Sequence, residues 1–381
     1  MTARHVCVWS GKRGGFGALA PTIEALGERG VRVSLVVTDQ HLYEKFGMTV
    51  REVEQRFPIA ASIHMEQQGD TNRDRARAIG VCLTKAADVL ADLSPDLLLV
   101  IGDRGEVFAA CIAAHNLRIA IAHVQGGDIS GSLDEPVRHA ITKLAHLHFP
   151  STERSAERIV RMGEEPWRVH TVGDTHIDQI FLKRATPEPE LRTRYDLPEE
   201  GPVLLVLQHP DSTIPDRSGA EMRATLDAVL SFGLRTLLVY PCSDQGFEGI
   251  ISEIERHRGT PGISLHENIP ADDFIGLQRL AACLVGNSSA GLIEAPYFAL
   301  PAVTVGDRQI GREHAGNVLH VPCEPSAIRA AIDRALGDRD FRARLRSETP
   351  PFGDGTAYRR IADVLSTVEL DERLLNKRMT Y

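Results

Sequence analysis

Short apolar runs alternate with segments of helical periodicity along most of this chain. In the first half, the helical segments lie at about 17–29, 71–93, 106–116 and 133–146. Such alternation predicts a parallel sheet with helices on both faces. The apolar runs have the length of buried strands, and they lie at Val6–Ser10, Val31–Val37, Leu97–Ile101 and Ile119–His123.

A second series of the same kind follows an acidic, proline-rich stretch at 184–201. That stretch lacks periodicity and predicts a linker. We therefore expect two Rossmann-like α/β domains facing a cleft: an N-terminal domain at 1–183 and a C-terminal domain at 202–355. A last helix at 356–381 would be able to cross back to the N-terminal domain. The second series of strands is predicted at Val203–Leu207, Arg235–Tyr240, Ile263–Leu265, Cys283–Val285 and Ala302–Val305.

Composition narrows the class of protein. The chain has 381 residues, 43% apolar and 25% charged, which is typical of a globular enzyme with two domains. Its net charge of −9 and the lack of a basic stripe argue against nucleic acid as the main partner. The six cysteines stand singly, and no apolar run approaches the roughly 18 residues of a membrane span. We expect a cytoplasmic protein with reduced, mostly buried thiols and no membrane partner.

Charged residues of the first half cluster directly after predicted strands, where open α/β sheets bind ligands. Asp103 and Arg104 follow the strand at 97–101, and a second polar group follows the strand at 119–123. Paired carboxylates in such places indicate acid–base chemistry. The full set of catalytic candidates in this half is Asp103, Gln125, Asp128, Asp134, Glu135 and Arg138.

A glycine-rich turn, Gly11 to Gly17, follows the first strand and holds Arg13. Glycines there allow backbone N–H groups to approach an anion at a helix start. The turn matches neither the dinucleotide fingerprint nor the phosphate loop, so a plain tight turn is the alternative.

Candidate anion-binding residues also follow the strands of the second half. Ser288 and Ser289 come before a predicted helix that carries Glu294, and Arg308 follows the next strand. Hydroxyls, backbone N–H groups and a guanidinium suit a diphosphate. A helix cap and a surface ion pair are the alternatives. Two histidines at strand ends, His209 and His266, complete this group, and His209 could also move a proton.

No metal site is predicted. His139, His146 and His148 are near each other in sequence, but their spacing fits neither the HExxH motif nor a zinc finger.

Several stretches together resemble the UDP-N-acetylglucosamine 2-epimerase family, and within it the hydrolysing branch of sialic acid synthesis. The resemblance extends over almost the whole chain, with motifs, spacing and order in agreement. The stretch GREHAGNVLHV at 311–321 is most similar to the epimerase half of the animal epimerase–kinase. The other stretches are GDR at 102–104, GG and DExxRHAITKLAHLHF up to Phe149, HP at 209–210, GNSSxGxIEAP at 286–296 and GDRQxGR at 306–312.

This resemblance implies the two-domain fold of GT-B glycosyltransferases, with the nucleotide held mainly by the second domain. It implies elimination of the nucleotide across C1–C2 to a glycal, then addition of water, without nicotinamide, metal or other cofactor. The substrate would be a UDP- or GDP-linked N-acetylated hexosamine, and the protein a homodimer or homotetramer. By position, Ser288, Ser289 and Glu294 would bind diphosphate and ribose, Arg13, Arg104, His209 and Arg308 would surround the phosphates, and Asp103, Asp134, Glu135 and Arg138 would line the sugar site.

Two positions depart from the family pattern. Most members have an acidic residue where this chain has Gly15, and many hydrolysing members have Glu where it has Gln125. Glutamine cannot act as a base at neutral pH, so Asp128 is a candidate to supply a carboxylate instead. Members acting on other amino sugars, such as the di-N-acetylated 6-deoxy sugars of legionaminic acid synthesis, also lack that Glu.

Three other functions remain open on the sequence. A non-hydrolysing epimerase would return the nucleotide to the glycal, but that branch usually reads HVEAGLR where this chain reads HVQGGD. A glycosyltransferase of the same architecture would need an acceptor. A nucleotide-sugar sensor would bind without turnover.

Overall fold

The computed structural model describes residues 3–182 and 184–381, and it does not describe the side chain of Arg13. The chain forms two compact units. The first contains Met1–Asp128, Leu133–Leu182 and Phe352–Tyr381, and the second contains Ile129–Ser132 and Lys183–Pro351.

The first unit is built on a six-stranded sheet in which every neighbouring pair is parallel. The strand order is β3-β2-β1-β4-β5-β6, so the direction of strand addition reverses between β1 and β4. Polar residues after these two strands therefore lie at a topological switch point. The strands are β1 (His5–Ser10), β2 (Arg32–Thr38), β3 (Ile59–Ile63), β4 (Leu97–Ile101), β5 (Ala120–Val124) and β6 (Leu147–Phe149).

Helices bury both faces of this sheet. One apolar cluster contains Leu19, Leu26 and Leu99, and another contains Leu90, Leu98 and Ile121. The helices are α1 (Arg13–Glu28), α2 (Val50–Glu54), α3 (Asn72–Leu93), α4 (Gly105–Asn116), α5 (Asp134–Leu144), α6 (Glu153–Arg161), α7 (Thr175–Phe181), and, after the second unit, α15 (Ala357–Thr367) and α16 (Glu372–Leu375).

The second unit repeats the plan with the strand order β12-β11-β10-β7-β8-β9, again parallel throughout. Its switch point lies between β10 and β7. The strands are β7 (Val203–Leu207), β8 (Arg235–Val239), β9 (Ile263–His266), β10 (Cys283–Gly286), β11 (Ala302–Val305) and β12 (Val318–Val321). The helices are α8 (Glu188–Arg194), α9 (Ser218–Leu230), α10 (Phe247–Glu255), α11 (Ala271–Leu280), α12 (Ala290–Ile293), α13 (Pro325–Gly337) and α14 (Arg339–Ser347).

The predicted fold class is confirmed, since both units are parallel sheets flanked by helices. The apolar runs mark the central strands to within two residues. The apolar runs of the sequence did not indicate β3, β6 and β12. The strands β3 and β12 lie at sheet edges and are only partly buried, so they do not read as continuous apolar runs.

Two local predictions differ from the structure. The segment predicted as a linker, 184–201, contains α8, whose Leu191 is fully buried with Tyr195 and Leu197 in the core of the second unit. The first helix begins at Arg13 rather than near Gly17, so Gly14, Gly15 and Gly17 lie within α1.

The C-terminal segment packs on the first unit. Ile361, Ala362 and Leu365 of α15 are buried in the same cluster as Leu26 of α1. Lys377 donates to three backbone carbonyls at the end of α5, those of Thr142, Lys143 and Ala145, at 2.7–3.1 Å. Within the described residues, no helix is both long and apolar enough to span a bilayer.

Candidate active site

Four buried charged side chains form an arginine–carboxylate network in the first unit. The network consists of Asp39 after β2, Arg75 on α3, and Arg104 and Glu106 at the start of α4. Arg75 donates to both oxygens of Asp39 at 3.2 Å and to Glu106 at 2.7 Å. Arg104 donates to Asp39 and to Glu106, each at 2.9 Å. Two cations thus balance two anions.

Burial alone would raise the pKa of Asp39, but the charges of Arg75 and Arg104 hold it below its ordinary value. Asp39 is therefore held in its ionised form. Arg104 thus contacts two buried carboxylates, and its predicted place beside the phosphates stays a prediction. The same network accounts for the glycine at position 11, because a Cβ there would lie 2.3 Å from Oε1 of Glu106. The first glycine of the turn is thus required by a carboxylate of the protein itself.

Asp103 and Arg138 form a second charged group at the same edge of the sheet. Nη2 of Arg138 donates to Oδ2 of Asp103, and its Nη1 donates to the backbone oxygen of Asp128 at 2.9 Å. The side chain of Asp128 accepts a hydrogen bond from Ser155 at 2.6 Å. Burial by itself would lower the pKa of Arg138, but the charges of Asp103 and Asp128 raise it. Arg138 is 2% exposed and Asp103 is 19% exposed, so only the carboxylate reaches solvent appreciably.

Asp134 and Glu135 occupy the first turn of α5, the helix that also carries Arg138. A carboxylate in a first helical turn is favoured by the helix dipole. Glu135 lies 3.8 Å from Nε2 of His139, one turn along the helix. Both acids are partly exposed. The helix α5 therefore carries two accessible carboxylates and the buried Arg138.

Gln125 has left-handed backbone geometry with a φ of 64° and lies directly after β5. Its amide nitrogen donates to Oδ2 of Asp174 at 2.8 Å and lies 3.0 Å from Nδ1 of His176. Asp174 also accepts from Ser151 at 2.9 Å and contacts His176 Nδ1 at 2.9 Å. Burial would raise the pKa of Asp174, but hydrogen bonds and charge from His176, together with Ser151, lower it to about 2. The buried carboxylate of Asp174 thus lies beside Gln125, whose own side chain is a neutral amide.

The second unit brings neutral polar groups to its switch point. Asn287 follows β10 and His209 follows β7, and their backbone and side-chain amides exchange two hydrogen bonds of 2.7 and 2.9 Å. The backbone N–H of Cys242 donates to Nδ1 of His209 at 3.0 Å. The neutral imidazole of His209 therefore carries its proton on Nε2. Gly286 must be glycine here, because a Cβ would lie 2.1 Å from the Leu207 carbonyl oxygen.

Ser288 and Ser289 stand between β10 and α12, as predicted, but α12 is a single turn. Oγ of Ser288 accepts from the backbone N–H of Ala290 at 3.3 Å. Glu294 follows that turn and accepts a hydrogen bond of 2.6 Å from Gln278. The serines and Glu294 thus belong to one compact strand–turn segment.

Arg308 lies after β11 and turns toward the same switch point. Its Nη1 donates to the carbonyl oxygen of Asn287 at 3.3 Å, and Gln309 donates to that oxygen at 2.9 Å. Asp244 lies 3.5 Å from Nη2 of Arg308. The side chain of Arg308 is only 14% exposed, so its orientation is fixed by the surrounding residues. Asn287 therefore links the loops that carry His209 and Arg308.

One candidate stands apart from these groups. His266 ends β9, at the edge of the sheet, where it hydrogen-bonds Ser264 at 2.9 Å and packs edge-on against Tyr195. Burial lowers the pKa of His266, and nearby Arg235 adds to this effect. His266 thus has structural contacts of its own, and its predicted part in binding the nucleotide stays a prediction. The side chain of Arg13 lies outside the described residues.

Comparison with known proteins identifies the family of this chain. The profile of the family described as UDP-N-acetylglucosamine 2-epimerase matches residues 24–366. The chain belongs to this family. The Legionella pneumophila protein named UDP-N,N'-diacetylbacillosamine 2-epimerase (hydrolyzing) is 32% identical over 99% of this chain and 100% of its own length. The GDP/UDP-N,N'-diacetylbacillosamine 2-epimerase (hydrolyzing) of Campylobacter jejuni is 25% identical over 84% of both chains.

Solved structures agree on the fold. The UDP-GlcNAc 2-epimerase of Neisseria meningitidis, bound to UDP-GlcNAc, superposes with a TM-score of 0.80. That comparison covers 95% of this chain and 99% of the other, at 19% identity. The enzyme of Methanocaldococcus jannaschii gives a TM-score of 0.79 with the same coverage and identity. The family match and the two hydrolysing relatives confirm the family, its hydrolysing branch and the enzyme class that the motifs predicted.

The structure adds residues to these candidate groups that the sequence did not indicate. Asn287 lies within the GNSS motif and could have been found there. Glu106 stands two residues after the GDR motif and could have been found in the same way. The others are distant in sequence from the motif residues beside which they lie, so nothing in the local pattern indicated them. They are Asp39 and Arg75 of the network, Ser155 beside Asp128, Ser151, Asp174 and His176 beside Gln125, and Asp244 beside Arg308.

Proposed function

We propose that this chain hydrolyses a nucleotide-linked N-acetylated hexosamine with inversion at C2 of the sugar. The nucleoside diphosphate leaves from C1 as a proton leaves C2, which gives a glycal. Water then adds to the glycal and releases the free 2-epimeric sugar. In this proposal the first unit supplies the acid–base residues and the second unit supplies the nucleotide-binding residues.

The observation that carries the proposal is the buried Arg138 holding Asp103. A proton on C2 is weakly acidic, so its removal needs an ionised carboxylate of fixed orientation. The contact with a buried arginine provides both conditions, and it keeps part of Asp103 exposed. Asp134 and Glu135, on the helix that carries Arg138, are the candidates to return a proton to the opposite face of C2.

The second half of the chemistry is departure of the diphosphate. Charge develops on the leaving oxygen and is stabilised by donors that are already oriented. The second unit offers Arg308, the hydroxyls of Ser288 and Ser289, and the Nε2–H of His209. Asn287 supports this proposal, since its hydrogen bonds fix the loops of both His209 and Arg308.

For the sugar we propose a UDP-linked di-N-acetylated 6-deoxyhexosamine as the first candidate. The Legionella relative carries such a sugar in its name and covers the chain end to end. Gln125 agrees with this choice, since the resemblance associates loss of the Glu at that position with amino sugars other than N-acetylglucosamine. UDP-N-acetylglucosamine is the second candidate.

The test is a panel of UDP- and GDP-linked amino sugars incubated with the protein in deuterated water. We expect proton NMR to show release of the nucleotide and deuterium at C2 of a free sugar of inverted configuration. Recovery of an epimerised nucleotide sugar would instead indicate a non-hydrolysing epimerase. Binding of the whole panel without turnover would refute the proposed function.

A further inference from the structure

One group of side chains in the first unit is not among the acid–base residues of the proposed function. We define the Asp174 cluster as Asp174, His176, Ser151 and Gln125. Its members follow β5 and β6 or begin α7, so they lie at the same edge of the sheet as Asp103. Asp174, Ser151 and Gln125 are 1%, 3% and 7% exposed, whereas the imidazole of His176 is 24% exposed. Three buried groups thus converge on one ring that reaches solvent.

Capping of α7 explains only part of this arrangement. Asp174 is the N-cap of α7, and its Oδ1 accepts the backbone N–H of His176 at 2.9 Å. A cap needs a single oxygen and no partner beyond the helix. Here Oδ2 accepts from Ser151 and Gln125 as well, while Oδ1 also contacts Nδ1 of His176. A fully buried carboxylate with so many donors is held in its ionised form.

The contact with Asp174 determines the state of the imidazole. When Nδ1–H donates to a carboxylate, the neutral ring has its lone pair on Nε2, which is then the nitrogen that accepts a proton. A buried aspartate that orients a histidine in this way is the usual means of activating an O–H group. Gln125 cannot do this itself, because an amide has no basic site at neutral pH.

We propose that His176 is the general base for the water that adds to the glycal, and that Asp174 positions it. In this step the O–H bond of water breaks, its oxygen bonds to C1, and its proton passes to Nε2 of His176. The electron pair of the C1–C2 double bond takes a proton at C2 from a carboxylic acid group of the first unit. The imidazolium then returns its proton to that carboxylate through solvent, so atoms and charges balance. This inference rests on the proposed function.

The decisive variant is His176→Gln, assayed with the substrate that the wild-type protein hydrolyses. General-base catalysis contributes about a hundredfold to ten-thousandfold, so formation of the free sugar should fall by at least about a hundredfold. Nucleotide release should continue, and the glycal should accumulate with its vinylic C1 proton visible by NMR. His64→Gln is the matched control, because His64 is an exposed histidine of the same unit. It should release nucleotide and free sugar in equal amounts.

Asp174→Asn tests the positioning role separately. Asparagine also caps helices, so α7 should be retained while the charge is lost. We expect the same glycal accumulation with a smaller loss of rate, and this variant decides the matter if His176→Gln does not fold. Equal amounts of nucleotide and free sugar from both variants would overturn the inference, as would an equal loss of both products. A wild-type protein that releases no nucleotide would instead refute the proposed function.

Discussion

The two units place different chemistry at equivalent ends of equivalent sheets. In the first unit, the strand ends carry full charges that are already paired, in the arginine–carboxylate network and in Asp103–Arg138. In the second, they carry mainly neutral donors and acceptors around Asn287, with Arg308 as a partly buried cation. Acid–base work needs groups of fixed charge, whereas a leaving diphosphate brings its own charge. The same fold can therefore serve two kinds of chemistry, depending on whether the protein or the ligand supplies the counter-charge.

The largest expected effect comes from removing the charge of Asp103. Asp103→Asn should lower turnover by about a hundredfold to ten-thousandfold, because a general base is lost. The affinity for UDP should stay within about twofold of the wild type, since Asp103 belongs to the first unit and the proposed nucleotide-binding residues belong to the second. Steady-state kinetics and calorimetric titration with UDP measure the two quantities. A variant with wild-type deuterium exchange at C2 would remove Asp103 from the catalytic residues.

Breaking the arginine–carboxylate network should affect stability. Arg75→Met leaves two buried carboxylates with one arginine, and breaking such buried pairs costs about 3–5 kcal/mol. Urea unfolding followed by tryptophan fluorescence reports this loss, because Trp9 and Trp167 are the two tryptophans of the chain and both lie in the first unit. Arg77→Met, an exposed position on the same helix, should leave the transition in place. Equal behaviour of the two variants would show that the network contributes little.

In the second unit the expected loss is in binding. Arg308→Gln removes a charge-assisted contact, and we expect the Kd for UDP to rise about tenfold to a hundredfold. The unfolding transition seen by tryptophan should not move. Arg339→Gln, an exposed arginine of α14, is the control and should bind UDP as the wild type does. Unchanged affinity in Arg308→Gln would remove this residue from the proposed phosphate site.

The smallest expected effect is a difference in acid sensitivity. Asp174 and Glu164 of the first unit each have a pKa lowered to about 2, although burial alone would raise both; hydrogen bonds from His176 and from His148, Lys143 and Lys377 outweigh burial. A lowered folded-state pKa stabilises the protein above the unfolded value of about 4 and loses that effect as pH falls toward 2. Tryptophan fluorescence reports on the first unit, whereas far-UV circular dichroism reports on both units. As the solution is acidified, the fluorescence should therefore change at a higher pH than the circular dichroism. The substitution Glu164→Gln should reduce the gap between the two transitions, and coincident wild-type transitions would contradict the prediction.

The sequence predicted the central strands because strands buried on both faces are continuous apolar runs. It predicted Asp103, Ser288 and Arg308 as candidates because each directly follows such a run. It did not predict β3 or β12, which are partly exposed edge strands. Nor did it indicate that 184–201 packs into the core, since one leucine of a short helix gives no periodicity.

The sequence by itself determined the fold class, the family and the strand ends at which the candidate residues lie, because these depend on local patterns and on motifs. The tertiary structure alone decided the partners of each charged group. Arg104 joins Asp39 across 65 positions, and Gln125 joins Asp174 across 49. A buried charge takes its state from its neighbours in space, and those neighbours are set by the order of strands in the sheet rather than by the order of residues in the chain.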